Sequence, residues 1–291
     1  MKIVIGIATA GRRDVLSETL AHLMGQSRLP DAILVCPAEP ADFDEPAAER
    51  LSVAVRRVEG RRGSCGQRNA ILDAAWDADL VVFLDDDYMP ARDFLAEAEL
   101  LFEGRPDIVA ATGSVLADGI HGPGIGADQA RKVLAADPGE PKAIRPAYNA
   151  YGCNMLVRMS AVRAVAARFD ENLPLYGWQE DVDFCRQIAP EGEIVHSTAL
   201  RGVHLGSKRG RTSGLRFGYS QIANPIYLWR KGSMTLRKAL PLMAGNVAAN
   251  ILGSLREQEF VDRRGRLKGN GIALVDLMKA RLDPQRILSF K

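Results

Sequence analysis

The run Leu80-Val81-Val82-Phe83-Leu84-Asp85-Asp86-Asp87 sets three carboxylates directly after five apolar residues. An unbroken apolar run of that length suits a strand covered on both faces, and open parallel sheets bind ligands beyond the carboxyl ends of their strands. Carboxylates packed there repel one another. A hard divalent cation relieves the repulsion and leaves coordination positions for phosphate oxygens. Asp85 and Asp87 alternate along an extended chain and point the same way, which makes them the pair to hold the ion.

A second acidic group stands in Tyr176-Gly177-Trp178-Gln179-Glu180-Asp181-Val182-Asp183. Phe184, Cys185 and Ile188 give a helical apolar face, which puts Glu180 and Asp181 at a helix start. A helix N-terminus keeps a carboxylate ionised, as a general base requires; the same residues also suit a plain helix cap. Tyr176 and Trp178 are placed to stack on a sugar ring or to pack as a staple at the helix entry. Lys208, Arg209 and Arg211, interspersed with Gly206, Gly210 and Gly214, form a basic glycine-rich segment. Such a segment closes over a diphosphate or is a solvated loop.

The elements that must position these residues follow from periodicity. Ile3 to Ala8 reads as a strand, followed by Gly11 and a helical pattern through Val15, Leu16, Leu20, Leu23 and Met24. Ala32 to Cys36 and Val53 to Val58 repeat the strand signal, and Arg68 to Ala78 has helical spacing. The fold class is therefore α/β, with a mostly parallel Rossmann-like sheet flanked by helices. Residues 118–146, rich in Gly, Pro and Ala, lack strong periodicity and are expected to form a mobile excursion, a lid or an acceptor loop. Strand at Asn154 to Val157, helix at Met159 to Ala167 and a strand-like segment leading to His204 complete the expected domain, residues 1–222. Residues 223–291 form a C-terminal helical extension that packs on the domain or a membrane surface.

Composition narrows the classes. A chain of 291 residues with 47% apolar and 25% charged side chains builds a sizeable core, which excludes disordered, collagen-like and multi-span membrane classes. The net charge of +2 demands no nucleic-acid partner. From Ile194 to Arg256, however, there are ten basic residues and no acidic one, so the balanced total conceals a basic third quarter. Four scattered cysteines point to a reducing cytoplasm, and the opening reads as a strand rather than a secretory signal.

Four motifs in order carry a resemblance: Thr9-Ala10-Gly11-Arg12, Gly66-Gln67-Arg68-Asn69, Leu84-Asp85-Asp86-Asp87 and Gly177-Trp178-Gln179-Glu180-Asp181. Over roughly residues 1–215 the sequence resembles the inverting family 2 glycosyltransferases of GT-A fold. The resemblance implies that Thr9, Arg12, Arg68 and Asn69, with Asp85 and Asp86, line a nucleotide-sugar site. It implies that Asp85 and Asp87 are a D-x-D pair, with Asp87 the direct metal ligand. Asp181, beside Glu180, becomes the base that deprotonates the acceptor hydroxyl. His204 falls where some members place a further metal ligand, and a nitrogen ligand favours manganese over calcium, with magnesium the other candidate. The acidic pair that often follows the second strand is replaced by Val35-Cys36-Pro37-Ala38-Glu39, with Glu39 or Asp42 as substitutes. UDP is the default donor base, with GDP and dTDP open.

The expected activity is thus transfer from a nucleotide-diphosphate sugar to a glycan or lipid-linked acceptor in cell-surface or exopolysaccharide assembly. The expected location is cytoplasmic, peripheral on an anionic membrane. Two rivals differ in class. A sugar nucleotidyltransferase normally carries a glycine-rich triphosphate loop near the first strand, where Ala8-Thr9-Ala10-Gly11-Arg12 has one glycine. A silent sugar-nucleotide or glycan scaffold has no need of Asp85, Asp87 and Asp181 together.

Overall fold

The structure is a computed structural model that describes all residues except Arg211, 256–258 and Lys291; the side chain of His121 is likewise outside the description. The chain divides into two compact units.

The first unit comprises residues 1–62, 66–169 and 184–210 and contains the whole sheet. Its strands are β1 (Ile3–Thr9), β2 (Ala32–Pro37), β3 (Val55–Arg57), β4 (Leu80–Asp85), β5 (Tyr88–Pro90), β6 (Ile108–Asp118), β7 (Ile144–Pro146), β8 (Asn154–Arg158) and β9 (Glu193–His204). They lie in the order β3-β2-β1-β4-β8-β6-β9-β5, with β7 paired to β9. β3, β2, β1 and β4 run parallel, as do β6 and β9, whereas β8 enters antiparallel between β4 and β6. Strands β2 and β4 are apolar up to Asp85 because both faces are covered: every residue of β2 is buried, and in β4 only Asp85 reaches solvent. Among the covering helices, α1 (Arg13–Leu23) buries Leu16, Leu20 and Leu23 at helical spacing, and α4 (Phe94–Gly104) buries Phe94, Leu95, Ala98 and Phe102.

Residues 118–146 are more ordered than their composition predicts. They hold an α-helix over Ala127–Ala136 and strand β7. That helix seats Ala127 and Ala130 against Met89, Val203 and Leu205. Alanine packs closely yet adds little hydrophobic periodicity, so the sequence pattern there is faint.

The second unit comprises residues 63–65, 170–183 and 211–291. Three helices dominate it: Gly214–Lys231, Leu236–Ser254 and Arg263–Met278. We call them α8, α9 and α10, the Ala127–Ala136 helix being α5, with α2 (Glu45–Ala48), α3 (Ser64–Ala74), α6 (Met159–Ala164) and α7 (Glu180–Ile188) before them. Ser213 caps α8, and Gly232 ends it in the left-handed conformation that glycine adopts without strain. α8 runs through residue 222, the point at which the sequence pattern divided the chain, and Pro241 lies inside α9 rather than at its boundary. Tyr219, Ile222, Ile226, Ala273 and Ile287 form the apolar core of this unit. Beside it sits a buried amide network: Asn250 Nδ2 donates to Gln221 Oε1 (2.7 Å) and Asn270 Oδ1 (2.8 Å), and Gln221 Nε2 donates to Asn246 Oδ1 (2.8 Å). Among the described residues no helix is long and apolar enough to cross a membrane.

Candidate active site

Strand register brings the first set of residues together. Asp85 ends β4 beside Ala8 of β1. The chain then turns through Asp86 and Asp87 into β5, whose Tyr88 pairs with His204 at the end of β9. β6 runs parallel on the other side of β9 and sets Asp118 opposite the same histidine. The outcome is a group of three potential ligands, Asp85, Asp87 and His204, with donor atoms all within 4.8 Å of one another. His204 Nε2 lies 3.3 Å from Asp87 Oδ1 and 3.8 Å from Asp85 Oδ2, while Nδ1 lies 2.9 Å from Asp118 Oδ1.

The donor set fits a divalent cation. With Nδ1–H donated to Asp118, Nε2 faces two carboxylates, where either a second ring proton or a cation between them relieves the repulsion. Asp87 Oδ1 is buried without a well-aligned hydrogen bond, whereas Oδ2 accepts from the Ser207 amide at 2.7 Å. A buried carboxylate oxygen left unpaired is costly unless an ion or proton meets it. Burial works against a charged imidazole, but hydrogen bonds to Asp118 and Asp87 outweigh it and lift the His204 pKa to about 10. Burial alone would also raise Asp87; His204 and then Arg12 outweigh that and hold it below the usual carboxylate range.

Around this group the expected nucleotide-site residues divide by what they hold. Asp86 accepts from Thr9 Oγ1 (2.6 Å) and Arg12 NH1 (2.7 Å), and Arg12 also approaches Asp87 Oδ2 at 3.4 Å. Burial raises the Asp86 pKa and the Arg12 charge opposes it. Asp86 is thus the anchor that ties the end of β1 to the acidic turn. Arg68 is buried, donates to the Gly152 carbonyl (3.0 Å), stands 3.4 Å from Asp85 Oδ1 and lies over the Phe169 ring. Asn69 exchanges two 2.9 Å hydrogen bonds with the Phe169 backbone. Glu39 pairs with Arg62 at 2.9 Å, beside a groove lined by Pro37, Ala38, Pro40 and residues 57–60 at the ends of β2 and β3.

The basic segment is fastened rather than loose. Lys208 Nζ donates to the Gly119 and Ile120 carbonyls at 3.0 and 2.9 Å, and the Arg209 carbonyl accepts from Arg12 Nε at 2.8 Å. Gly210 has φ of +67°, and a Cβ there would sit 2.1 Å from the Ala10 carbonyl oxygen, so only glycine permits this crossing over the end of β1. The Arg209 side chain is exposed and 3.4 Å from Asp14. Arg211 lies outside the described residues.

Glu180 and Asp181 belong to the second unit, and both are buried at the start of α7. The approach to them is tightly wound: Leu175, Gly177 and Gln179 all have positive φ, at 60°, 68° and 75°. Asparagine or glycine tolerates that region better than leucine or glutamine, so surrounding contacts must hold the turn. Asn224 Nδ2 donates to the Trp178 carbonyl at 2.8 Å, and Asp183 accepts from Lys231 Nζ at 2.7 Å and from Ser233 Oγ. Asp181 Oδ1 accepts from the Val182 amide at 2.8 Å. Tyr176 and Trp178 both pack against Phe217, with centroids 5.9 and 5.8 Å away, and Tyr176 remains largely exposed.

Residues 4–130 match the family model for glycosyl transferase family 2. Over those residues the chain is similar to the family 2 glycosyltransferases. Solved structures agree on the GT-A fold. TarS 1–349 of S. aureus, in complex with UDP-GlcNAc, has a TM-score of 0.56 at 15% identity, covering 99% of this chain and 83% of that one. The mannosyltransferase PcManGT from Pyrobaculum calidifontis, in complex with GDP-Man and Mn2+, gives 0.52 at 16%, covering 99% and 85%. GalNAc-T7, with UDP, GalNAc and Mn2+, gives 0.54 at 15%, covering 81% and 51%. Against the longer S. aureus TarS chain, this chain spans 40% of the length. No curated protein matches the chain.

Within the first unit the structure gathers Thr9, Arg12, Asp85, Asp86, Asp87 and His204, with Arg68 beside them. Sequence reasoning missed Asp118, which orients His204, because only the β6–β9 register reveals it. It also passed over Gln67, whose buried amide donates to the Thr9 (2.9 Å) and Cys36 (2.5 Å) carbonyls and ties β1 to β2 where the site begins. Its signal was present, since Gln67 sits inside the Gly66-Gln67-Arg68-Asn69 motif.

Proposed function

We propose that this chain transfers a sugar with inversion from a nucleotide-diphosphate sugar, UDP-linked by default, to a hydroxyl of a glycan or lipid-linked acceptor. The observation that carries the reading is the buried group of Asp85, Asp87 and His204, whose donor atoms all lie within 4.8 Å of one another. Asp85, Asp87 and His204 would hold manganese or magnesium, and Asp118 would keep the histidine Nε2 lone pair aimed at it. When bound, the ion supplies positive charge against the departing diphosphate.

The chain's own groups do the rest. Arg12, clamped by Asp86, keeps a guanidinium charge at the end of β1 for the donor. Arg68 orients Asp85, and the groove beside Glu39 is the place for the nucleobase. Asp181 accepts the proton of the acceptor hydroxyl as that oxygen bonds to the anomeric carbon. The bond from that carbon to the diphosphate oxygen breaks, and the nucleotide leaves with the electron pair. Tyr176 and Trp178 offer aromatic surface to the acceptor. Lys208 and Arg209 belong to the same donor-side segment, and Arg211 is carried as its third cation on sequence grounds. UDP-GlcNAc on TarS and GDP-Man on PcManGT support the donor class without choosing the base.

The test is thermal shift with UDP, GDP, dTDP and CDP, each with and without Mn2+ or Mg2+, on the wild type and Asp87→Ala. A metal-dependent rise with one nucleotide, lost in the variant, is expected. No shift with any nucleotide under either metal would remove the donor-site reading.

A further inference from the structure

Helix α9 is inside-out. Its bundle-facing side runs from buried Ala239 through half-buried Met243, Asn246 and Val247 to buried Asn250, and the amides of that side bond to Gln221 and Asn270 within the bundle. The opposite face carries Leu240, Ala244, Ala248, Ile251, Leu252 and Leu255, all exposed. The contrast is sharp at the C-terminal end: Asn250 is 0% exposed, whereas Leu252 and Leu255 are 69% and 76% exposed. A helix on the surface of a water-soluble domain places these residue types the other way round. From Ala239 to Leu255 the sequence has no charged residue at all.

Charge says what covers this face. Residues 211–291 carry 15 basic and 5 acidic side chains, whereas residues 1–210 carry 23 and 31. One of those five acids, Asp276, is already neutralised by Arg281 (2.7 Å) and Arg286 (2.9 Å). Arg237 and Lys238 are exposed at the start of α9 itself. A second copy of this unit would bring like charge against like charge, and an acidic protein would leave the uncharged stripe without a partner of its kind. A surface that is anionic at its headgroups and apolar just beneath satisfies both features.

We propose that α9 docks the protein on an anionic lipid bilayer, lying in the interface with its Leu-Ala-Ile face inserted among the acyl chains and Arg237 and Lys238 at the headgroups. At 19 residues α9 is about 28 Å long at 1.5 Å rise per residue, and it lies flat rather than spanning. The buried amides hold α9 to α8 and α10, so the apolar face is presented by a folded bundle rather than by a helix that forms only on contact. The inference concerns a surface apart from the transferase residues and stands whether or not those turn over substrate.

The experiment is vesicle flotation of the full chain. On vesicles of phosphatidylglycerol and phosphatidylcholine the wild type floats, and on phosphatidylcholine alone its partition falls by about tenfold or more. Leu252→Glu with Leu255→Glu lowers partition on the anionic vesicles by about tenfold, as does Arg237→Glu with Lys238→Glu, the latter effect shrinking in high salt. These positions are exposed, so melting temperatures stay at the wild-type value, and each pair checks the other. Failure of the wild type to float on anionic vesicles overturns the proposal, as does equal flotation of wild type and the glutamate pair. A stable dimer by light scattering that Leu252→Glu with Leu255→Glu converts to monomer would assign the face to a second copy instead. Nucleotide thermal shifts on the same samples report the donor site separately, so either reading can fail alone.

Discussion

Two buried polar clusters, one in each unit, are built in opposite ways. At the ends of β1, β4, β6 and β9 the sheet unit gathers buried carboxylates with an arginine and a histidine; the helical unit, besides its buried carboxylates Glu180, Asp181, Asp183 and Asp276, holds a cluster of amides, Gln221, Asn250 and Asn270, between its helices. The amides are satisfied by one another, by Arg263 NH1 on Asn250 Oδ1 (3.2 Å) and by the Gly218 carbonyl on Asn270 Nδ2 (2.7 Å), so their cluster is complete. The carboxylate and histidine cluster is held by charge instead, with two carboxylates converging on one histidine nitrogen and Asp87 Oδ1 buried without a well-aligned hydrogen bond. A converging set of charges is a place for a ligand, whereas a complete set of amides specifies how helices pack.

Breaking the charged cluster has the largest expected effect. Asp87→Ala is expected to lower sugar transfer by about 10³-fold or more and to abolish metal-dependent nucleotide binding in calorimetry. Asp181→Asn is expected to cost about 10²- to 10⁴-fold in kcat while the nucleotide thermal shift stays intact, which separates base from donor site. A variant that kept full turnover would end the base assignment. Asp118→Asn touches no donor, yet metal affinity measured by titration should fall about 10- to 100-fold through misorientation of His204.

Breaking the amide cluster should affect stability alone. Asn250→Ala leaves Gln221 and Asn270 short of a buried donor and should cost about 1–3 kcal/mol in denaturant unfolding, with the nucleotide shift retained. Loss of nucleotide binding in that variant would mean the two clusters are not independent.

The smallest effect is a pH dependence that exists only without metal. His204 has a folded-state pKa raised from 6.5 to about 10. A raised pKa means that the folded state binds the proton more tightly than the unfolded chain does. Its contribution to stability is therefore complete below about 6.5 and lost as pH climbs through about 10. The melting temperature of chelator-treated protein should fall across that window, and His204→Gln should flatten the fall.

Much of this was legible from residue types. The five apolar residues before Asp85 suit a doubly covered strand, and a strand end is where α/β sheets bind ligands, so the acidic turn declared its place. His204 was legible as a strand-end histidine, but its partners were not, since Asp87 and Asp118 lie 117 and 86 residues away and meet it through strand pairing. Helix α5 was not legible, because its buried positions are alanines, with Val133 and Leu134 only partly buried beside them.

The sequence by itself determined that the chain folds as α/β, that its carboxylates follow a buried strand and that its charge is unevenly spread, since these depend on local pattern and composition. Only the tertiary structure decided that Asp86 faces Arg12 while Asp87 faces His204, and that the amides of α9 point inward and its leucines outward. The reason is physical. Periodicity states which residues share a face, but which face meets protein and which meets solvent is set by neighbours distant in the chain.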